Sequence, residues 1–323
     1  MTKEMLIHQI IDVLRRANFV VSDRCNIRPR SFDLAARQDD TLLFCKVLYN
    51  IDGLNEETAH EMRTLSNYLG GSPLLIGAKT RDQMLEDSVV YMRYDIPAFN
   101  LQTLYDCFVE DVPPLVSAAP GGLYVSIDGD VLRDARMTIS MSLGALASQL
   151  GVSRRTISKY EEGGMSASID IVLHLEDLLD VALARSIDIL QPFARHGRTS
   201  GHDEKKRSSP PQDDIILNLI HTLGYDVLST SQAPFKAVSK DYTHTFLTGV
   251  NEYSNAMIKR AHLMSSISDV TRTQSIYIIE GYSRLGYVDN TVLIEREELD
   301  SLADSDDLDT LIAERVKRHL DDR

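Results

Sequence analysis

Two sets of residues in this chain have the types and spacing to do chemistry on a phosphodiester. The first is Asp33 and Lys46, each inside a mostly apolar stretch. A carboxylate can hold Mg²⁺, the ion can activate a water, and a nearby ammonium can neutralise phosphate charge. That pair would cut. The second set is S-R-R-T-I-S-K, Ser153 to Lys159, rich in hydroxyls and cations and free of acids. On a helix, Arg154, Arg155, Thr156, Ser158 and Lys159 share the outer face while Ile157 and Tyr160 turn inward. Guanidinium forks suit guanine edges, and hydroxyl and ammonium groups suit phosphate oxygens. That set would read.

The second set must be positioned by a short helical pair. Ser142 is an N-cap, and Leu143, Leu146, Ala147 and Leu150 recur on one helical face. Gly151 stands where the first helix must end with a left-handed residue, and Val152 is the apolar residue of the turn. Ser153 caps a second helix over 153–162. Two helices joined by a tight Gly-containing turn, the second basic, form a unit built to enter a major groove. The run L-G-A-L-A-S-Q-L-G-V-S-R-R-T-I-S-K-Y-E-E-G resembles the lambda-repressor/Cro-like (XRE-type) helix-turn-helix family. Ala147, Gly151, Ile157 and Tyr160-Glu161 carry the match, over about 60 residues, a small domain. With G-G-L-Y-V-S-I-D-G-D ahead of it, the arrangement is similar to a group of archaeal transcriptional regulators. The resemblance implies five helices across 131–192, the last two over 168–179 and through Ala182, Leu183, Ile187 and Leu190. It also implies a sequence-specific regulator, with Ser142, Ser153, Arg154, Arg155, Thr156, Ser158 and Lys159 at the DNA.

Asp33 and Lys46 resemble the D…(D/E)-x-K pattern of the restriction-endonuclease-like fold. The chain departs from it at Phe44, which stands two before Lys46 where an acid belongs. One carboxylate is a poor site for a hard cation. Glu56, Glu57 and Glu61 on the following helix are the available supplements. The expectation is a retained fold with lost chemistry: no catalytic residues, no metal, no cofactor, not an enzyme. The alternative is a nuclease targeted by the helix-turn-helix, using Asp33 and Lys46 with Mg²⁺. A third reading is a protein-binding adaptor, which would survive if Arg154 and Arg155 proved paired with acids of the chain's own surface.

Residues 1–112 predict an α/β domain. Helices are expected over 5–17, 55–69 and 101–108, with strands at 19–21, 32–36, 41–47, 73–77 and 89–92; the 41–47 run is apolar enough to be buried on both faces. P-P-L-V-S-A-A-P-G-G at 113–122 reads as a linker, followed by a strand and turn that complete a linker and hairpin over 113–130. Residues 193–214 are polar and rich in Ser, Gly and Pro, which predicts a flexible linker. Its Lys205, Lys206 and Arg207 read as a solvated run, and His196 and His202 are too isolated for a metal site. Residues 215–300 repeat the pattern of 5–100: Phe235-Lys236-Ala237-Val238 stands for Phe32-Asp33-Leu34-Ala35, and a long helix follows in both. In this copy Lys236 replaces the Asp and Gly249 the Lys. The expected fold class is α/β plus all-α, a central five-helix domain flanked by two duplicated restriction-endonuclease-like α/β domains, the second over 215–323.

A chain of 323 residues with 43% hydrophobic and 25% charged residues has room for two or three ordinary domains. The formal charge of −14 excludes a protein that coats nucleic acid over its whole surface. Charge is unevenly spread, however: Arg133, Arg136, Arg154, Arg155 and Lys159 face one acid, Asp134, between 131 and 160. A basic patch on an acidic body fits a binder whose DNA contact is confined to one module. Cys25, Cys45 and Cys107 are odd in number and widely spaced, which reads as reduced thiols. The start of the chain lacks a signal-peptide pattern and no apolar run is long enough for a membrane helix. The expected partners are double-stranded DNA and a second copy of the chain, with no membrane, in the cytoplasm. The α/β domains are expected to supply the dimer contact or a signal pocket.

Overall fold

Thr2 accepts a hydrogen bond from the Met5 amide at 3.3 Å and starts α1 (Lys3–Arg16), whose Leu6, Ile7, Ile10, Val13 and Leu14 are buried at helical spacing. Asn18, at φ 62°, turns the chain out of it. The computed structural model describes residues 2–28, 30–190 and 214–321. Of the stretch expected as a flexible linker, residues 193–213, with His196, His202, Lys205, Lys206 and Arg207, lie outside the described residues. After α1 come β1 (Val20–Val21), β2 (Leu34–Gln38), β3 (Thr41–Val47), α2 (Glu56–Leu69), β4 (Ser72–Ile76), β5 (Val89–Arg93), β6 (Ile96–Phe99) and α3 (Leu101–Phe108). Next are β7 (Val116–Ala119), β8 (Gly122–Val125), α4 (Gly129–Thr138), α5 (Leu143–Gln149), α6 (Arg154–Glu161), β9 (Ala167–Ser168) and α7 (Ile169–Leu179). The last part holds α8 (Ile215–Thr222), β10 (Asp226–Ser229), β11 (Ala237–Lys240), β12 (Thr245–Asn251), α9 (Asn255–Thr271), β13 (Gln274–Ile279), β14 (Tyr287–Val288), β15 (Thr291–Glu295), α10 (Arg296–Asp300) and α11 (Ser305–Asp321).

Contacts gather these elements into two units. One takes the described residues of Met1–Ala17, Val47–Leu54 and Leu74–Arg198; the other takes those of Asn18–Lys46, Asn55–Pro73 and Thr199–Arg323. In the first unit α1 packs on α3, and β6 lies parallel to β4 and antiparallel to β5. The β5–β6 turn is Tyr94 and Asp95, at φ 50° and 60°, the left-handed pair that a two-residue hairpin of the usual twist requires. Residues 113–122, expected as a linker, instead contribute β7, which pairs parallel with β5 and antiparallel with β8. The prolines do not prevent this, because Pro113 and Pro114 precede the strand and Pro120 sits in the turn, where no ladder donor is needed.

The small helical domain of that unit packs Leu132 of α4, Leu146 and Ala147 of α5, Ile157 and Tyr160 of α6, and Val172 and Leu175 of α7 against Val125 and Ile127. Four helices form it among the described residues, not five. Asp180, at φ 50°, ends α7. The Leu183 and Ala184 amides then donate to the Glu176 carboxylate at 2.7 and 3.0 Å, and the Arg185 amide to the Ser126 carbonyl at 2.8 Å. The Ile187 amide donates to the Pro114 carbonyl, also at 2.8 Å, so the Arg185 and Ile187 donors that a helix over 182–190 needs for its own carbonyls are taken by segments outside it.

In the other unit β1, β2 and β3 form an antiparallel meander, with Val21 opposite Ala36 and Ala36 opposite Leu43. The sheet of the C-terminal part has the order β10-β11-β12-β13-β15-β14. Its β10–β12 is again an antiparallel meander, α9 crosses to the parallel β13, and β15 lies parallel to β13 and antiparallel to β14. The pairing of β1–β3 recurs in β10–β12, and that of β4, β6 and β5 in β13, β15 and β14. Its core joins Ile216 and Ile220 of α8 and Leu308 and Ile312 of α11 to Tyr225, Phe246, Ile276, Ile278, Val292 and Ile294. Among the described residues, no helix is long and apolar enough to cross a membrane.

Candidate nucleic-acid interface

The basic helix is positioned by its caps, its turn and one buried ion pair. Ser142 accepts the Ala145 amide at 3.1 Å to start α5, and Ser153 accepts the Thr156 amide at 3.1 Å to start α6. Gly151, at φ 66°, makes the turn, and the Val152 amide donates to the Ala147 carbonyl at 3.0 Å. Ile157 and Tyr160 are buried, while Ser142, Ser153, Arg154, Arg155 and Lys159 are exposed and Thr156 and Ser158 half-exposed. The Ser153 hydroxyl also pairs with that of Thr156 at 2.8 Å, and Ser158 donates to Glu162 at 2.8 Å. Arg154, Arg155 and Lys159 make no ion pair within the described residues. The self-pairing that would support the adaptor reading is therefore absent among the described residues.

Behind this face stands Glu161, 7% exposed. Arg136 of α4 grips it with two prongs, Nε to Oε1 at 2.6 Å and Nη2 to Oε2 at 3.1 Å, and Arg133 approaches at 3.7 Å. The hydrogen bond it donates to the Glu161 carboxylate holds the Arg136 guanidinium above its ordinary pKa in spite of its burial. Arg136 also donates to the Met141 carbonyl at 2.8 Å, which ties the segment before α5 into the same joint. Arg133 and Arg136, counted from sequence among the bases of this region, serve that joint. The α4–α6 approach is close: a Cβ on Gly129 would lie 2.4 Å from the Glu161 carbonyl oxygen. Sequence reasoning named Arg136 only among the bases of the region and Glu161 only in the Tyr160-Glu161 pair that closes the motif, and gave neither of them, nor Gly129, a part in a joint.

Asp33 and Lys46 both converge on Arg30. Asp33 is fully buried and accepts Arg30 Nε at 3.1 Å, while Lys46 Nζ donates to the Arg30 carbonyl at 2.6 Å. Phe44 fills the position of the missing acid and stands edge-on to Phe32, 5.2 Å between ring centres. A divalent cation at Asp33 would have to displace the Arg30 guanidinium, and Phe44 offers it no oxygen ligand. Glu61, the candidate supplement, accepts instead from the Ser231 amide and hydroxyl and the Gln232 amide, each at 2.7 Å. Glu56 and Glu57 are exposed in the first turn of α2. In the second copy a Cβ at Gly249, the position of Lys46, would strike the Tyr277 ring at 2.4 Å.

The cluster of possible metal ligands that forms among the described residues lies elsewhere, at Asp241, His244 and Asp309. There Asp241 accepts the Thr243 and His244 amides at 2.7 and 2.5 Å, and His244 pairs with Asp309 at 2.7 Å. The thiols are free, and burial pushes Cys25 up to about 11 and Cys45 and Cys107 to about 12, so all three stay protonated at neutral pH.

Residues 3–114 match a PD-(D/E)XK superfamily domain, and residues 132–185 match a helix-turn-helix family. Over the whole length the chain is 74% identical to a protein of Methanococcoides burtonii, covering 100% of both chains. It is 66% identical to one of Methanosarcina mazei, covering 99% of each, and 47% identical to one of Natronomonas pharaonis, covering 98% of this chain and 100% of the other. The names of all three describe them provisionally as HTH-type transcriptional regulatory proteins. No solved structure matches the chain.

Proposed function

The chain belongs to the family of archaeal HTH-type transcriptional regulatory proteins, and from that premise we propose that it is a sequence-specific binder of double-stranded DNA that regulates transcription in the cytoplasm. Residues 153–162 enter the major groove. Arg154 and Arg155 reach base edges, Thr156 and Ser158 line the rim, and Ser142, Ser153 and Lys159 meet phosphates. The observation that carries this is the set of three cations on the exposed face of α6 that make no ion pair among the described residues, backed by the Arg136–Glu161 joint. A single small module has too little surface for strong selectivity, so two chains bind a palindromic site.

Residues 1–112 and 215–323 are two copies of one restriction-endonuclease-like unit that has kept its fold and lost its chemistry, with 131–192 between them. The match of 3–114 to the PD-(D/E)XK superfamily keeps a targeted nuclease as the second reading. Against it stand Phe44 in place of the acid, Arg30 on Asp33 and the engagement of Glu61.

The test is a titration against a library of short duplexes at two salt concentrations with Mg²⁺ present, using the wild type and Arg154→Ala/Arg155→Ala. The wild type should select a palindrome, weaken with salt and leave the DNA whole, and the double variant should lose selection. Cut duplexes would establish the nuclease; selection unchanged in the double variant would remove α6 from the interface.

A further inference from the structure

Inside one unit, two sets of contacts repeat each other with the copies exchanged. Past β1, the Asp23 amide donates to Ser266 Oγ of α9 at 2.7 Å. Past β10, the equivalent edge strand, the Ser231 and Gln232 amides donate to Glu61 of α2 at 2.7 Å, and Thr58 donates to the Gln232 side chain at 2.6 Å. The helix ends behave alike. Arg37 of β2 donates to the Val270 and Thr271 carbonyls at 2.7 and 3.2 Å, where α9 leaves carbonyls without helical partners. Tyr68, at the end of α2, donates to the Asp226 carbonyl, the first residue of β10, at 2.9 Å. α2 and α9 hold the same place in their copies, each following the third strand of its meander. Helix-to-meander contact in both directions is the pattern of an isologous interface, in which the same surface serves on both partners.

We propose that the two α/β copies form an intramolecular pseudo-dimer: the face by which the first copy would pair with a unit of its own kind is filled by the second copy of the same chain. This rests on the duplicated-copy reading above. Burial on α9 supports it independently. Met257, Ala261, Met264, Ser268 and Thr271 form one buried stripe, which reaches its own sheet through the Ser268–Ser275 contact at 3.2 Å. Leu263, Ile267 and Val270 form a second buried stripe, on the side that carries Ser266, and α9 packs against β2 of the other copy. A helix buried on two sides lies between two layers. Glu61 and Arg37 give each direction a charge-assisted bond to backbone, the strong kind of hydrogen bond. The consequence is that pairing of two chains on DNA uses a surface other than the α2 and α9 faces.

The experiment places a protease site within residues 196–210 of the full chain and cuts it after purification. The wild-type halves should elute together at the mass of one uncut chain, and Arg37→Glu/Glu61→Arg should loosen them at least about tenfold in dissociation constant. Circular dichroism of the uncut variant checks its fold. Should that variant fail to fold, Tyr68→Phe/Gln232→Ala, which removes bonds without adding charge, carries the same comparison. Halves that separate in the wild type, or that hold equally well in the variants, overturn the proposal. Selection of DNA by the uncut wild type is scored separately, so a failed pseudo-dimer and a failed regulator are told apart.

Discussion

At the scale of single residues, Glu161 decides where the basic helix α6 sits. Its carboxylate is buried at the foot of α6 and its partner Arg136 is nearly as enclosed, 12% exposed. Removing one partner of a buried pair leaves the other charge uncompensated, which costs about 3–5 kcal/mol. Glu161→Ala should therefore lower the urea midpoint by that equivalent, while Glu161→Leu/Arg136→Leu, which removes both charges, should lose far less. A single variant within about 0.5 kcal/mol of wild type would mean that the pair does not hold the joint. Residues with local roles were legible in the sequence. Ser142 and Ser153 cap the third residue ahead, so a four-residue window suffices to find them. Glu161 was not, because the Arg that explains it lies 25 positions upstream on another helix.

At the scale of elements, the crossing of α4 over the end of α6 needs a residue without a side chain. A Cβ on Gly129 meets the carbonyl oxygens of Glu161 and Tyr160 at 2.4 and 2.7 Å, and those atoms are backbone that cannot swing aside. Gly129→Ala should cost about 1–3 kcal/mol, the usual range for overpacking. Gly144, inside α5, has only Ser142 Oγ at 3.9 Å, so Gly144→Ala should be neutral or stabilise by up to about 1 kcal/mol. Thermal melts of the two variants give the comparison; a Gly129→Ala melt at the wild-type temperature would show that the two helices part easily. Elements set by their own pattern were read well from sequence. Thr41–Val47 and Leu101–Phe108 fall on the expected bounds, since an unbroken apolar run and an amphipathic run need no outside partner to be recognised. Elements decided by distant partners were not. The expected helix over 182–190 lost the Arg185 and Ile187 amides to the Ser126 and Pro114 carbonyls, and the expected linker became β7 by pairing with β5. β6 was missed because Tyr94 and Asp95 form its turn without the Asn or Gly that marks one.

At the scale of the whole molecule, an acidic body must approach an acidic polymer. With a formal charge of −14 the body as a whole opposes approach to a duplex. On the proposed reading, attraction rests on Arg154, Arg155 and Lys159. On B-DNA the logarithm of affinity falls against the logarithm of salt with slope about −0.9 per phosphate neutralised. One phosphate-bound Lys159 from each of two chains therefore predicts a contribution of about −2 to that slope. Lys159→Ala separates the phosphate contact from base reading and counts chains at the same time. It should reduce the slope by about 2 if two chains sit on the site and by about 1 if one does, with the preferred sequence unchanged. Arg154→Ala or Arg155→Ala should instead relax preference at particular base pairs, by about 1–3 kcal/mol each. A change of two units from Lys159→Ala, in chains whose copies remain joined to each other, assigns the chain-to-chain contact to a surface away from α2 and α9. A slope that does not move would shift the phosphate contacts to residues beyond α6, and the acidic body would then need a second basic face to reach DNA at all.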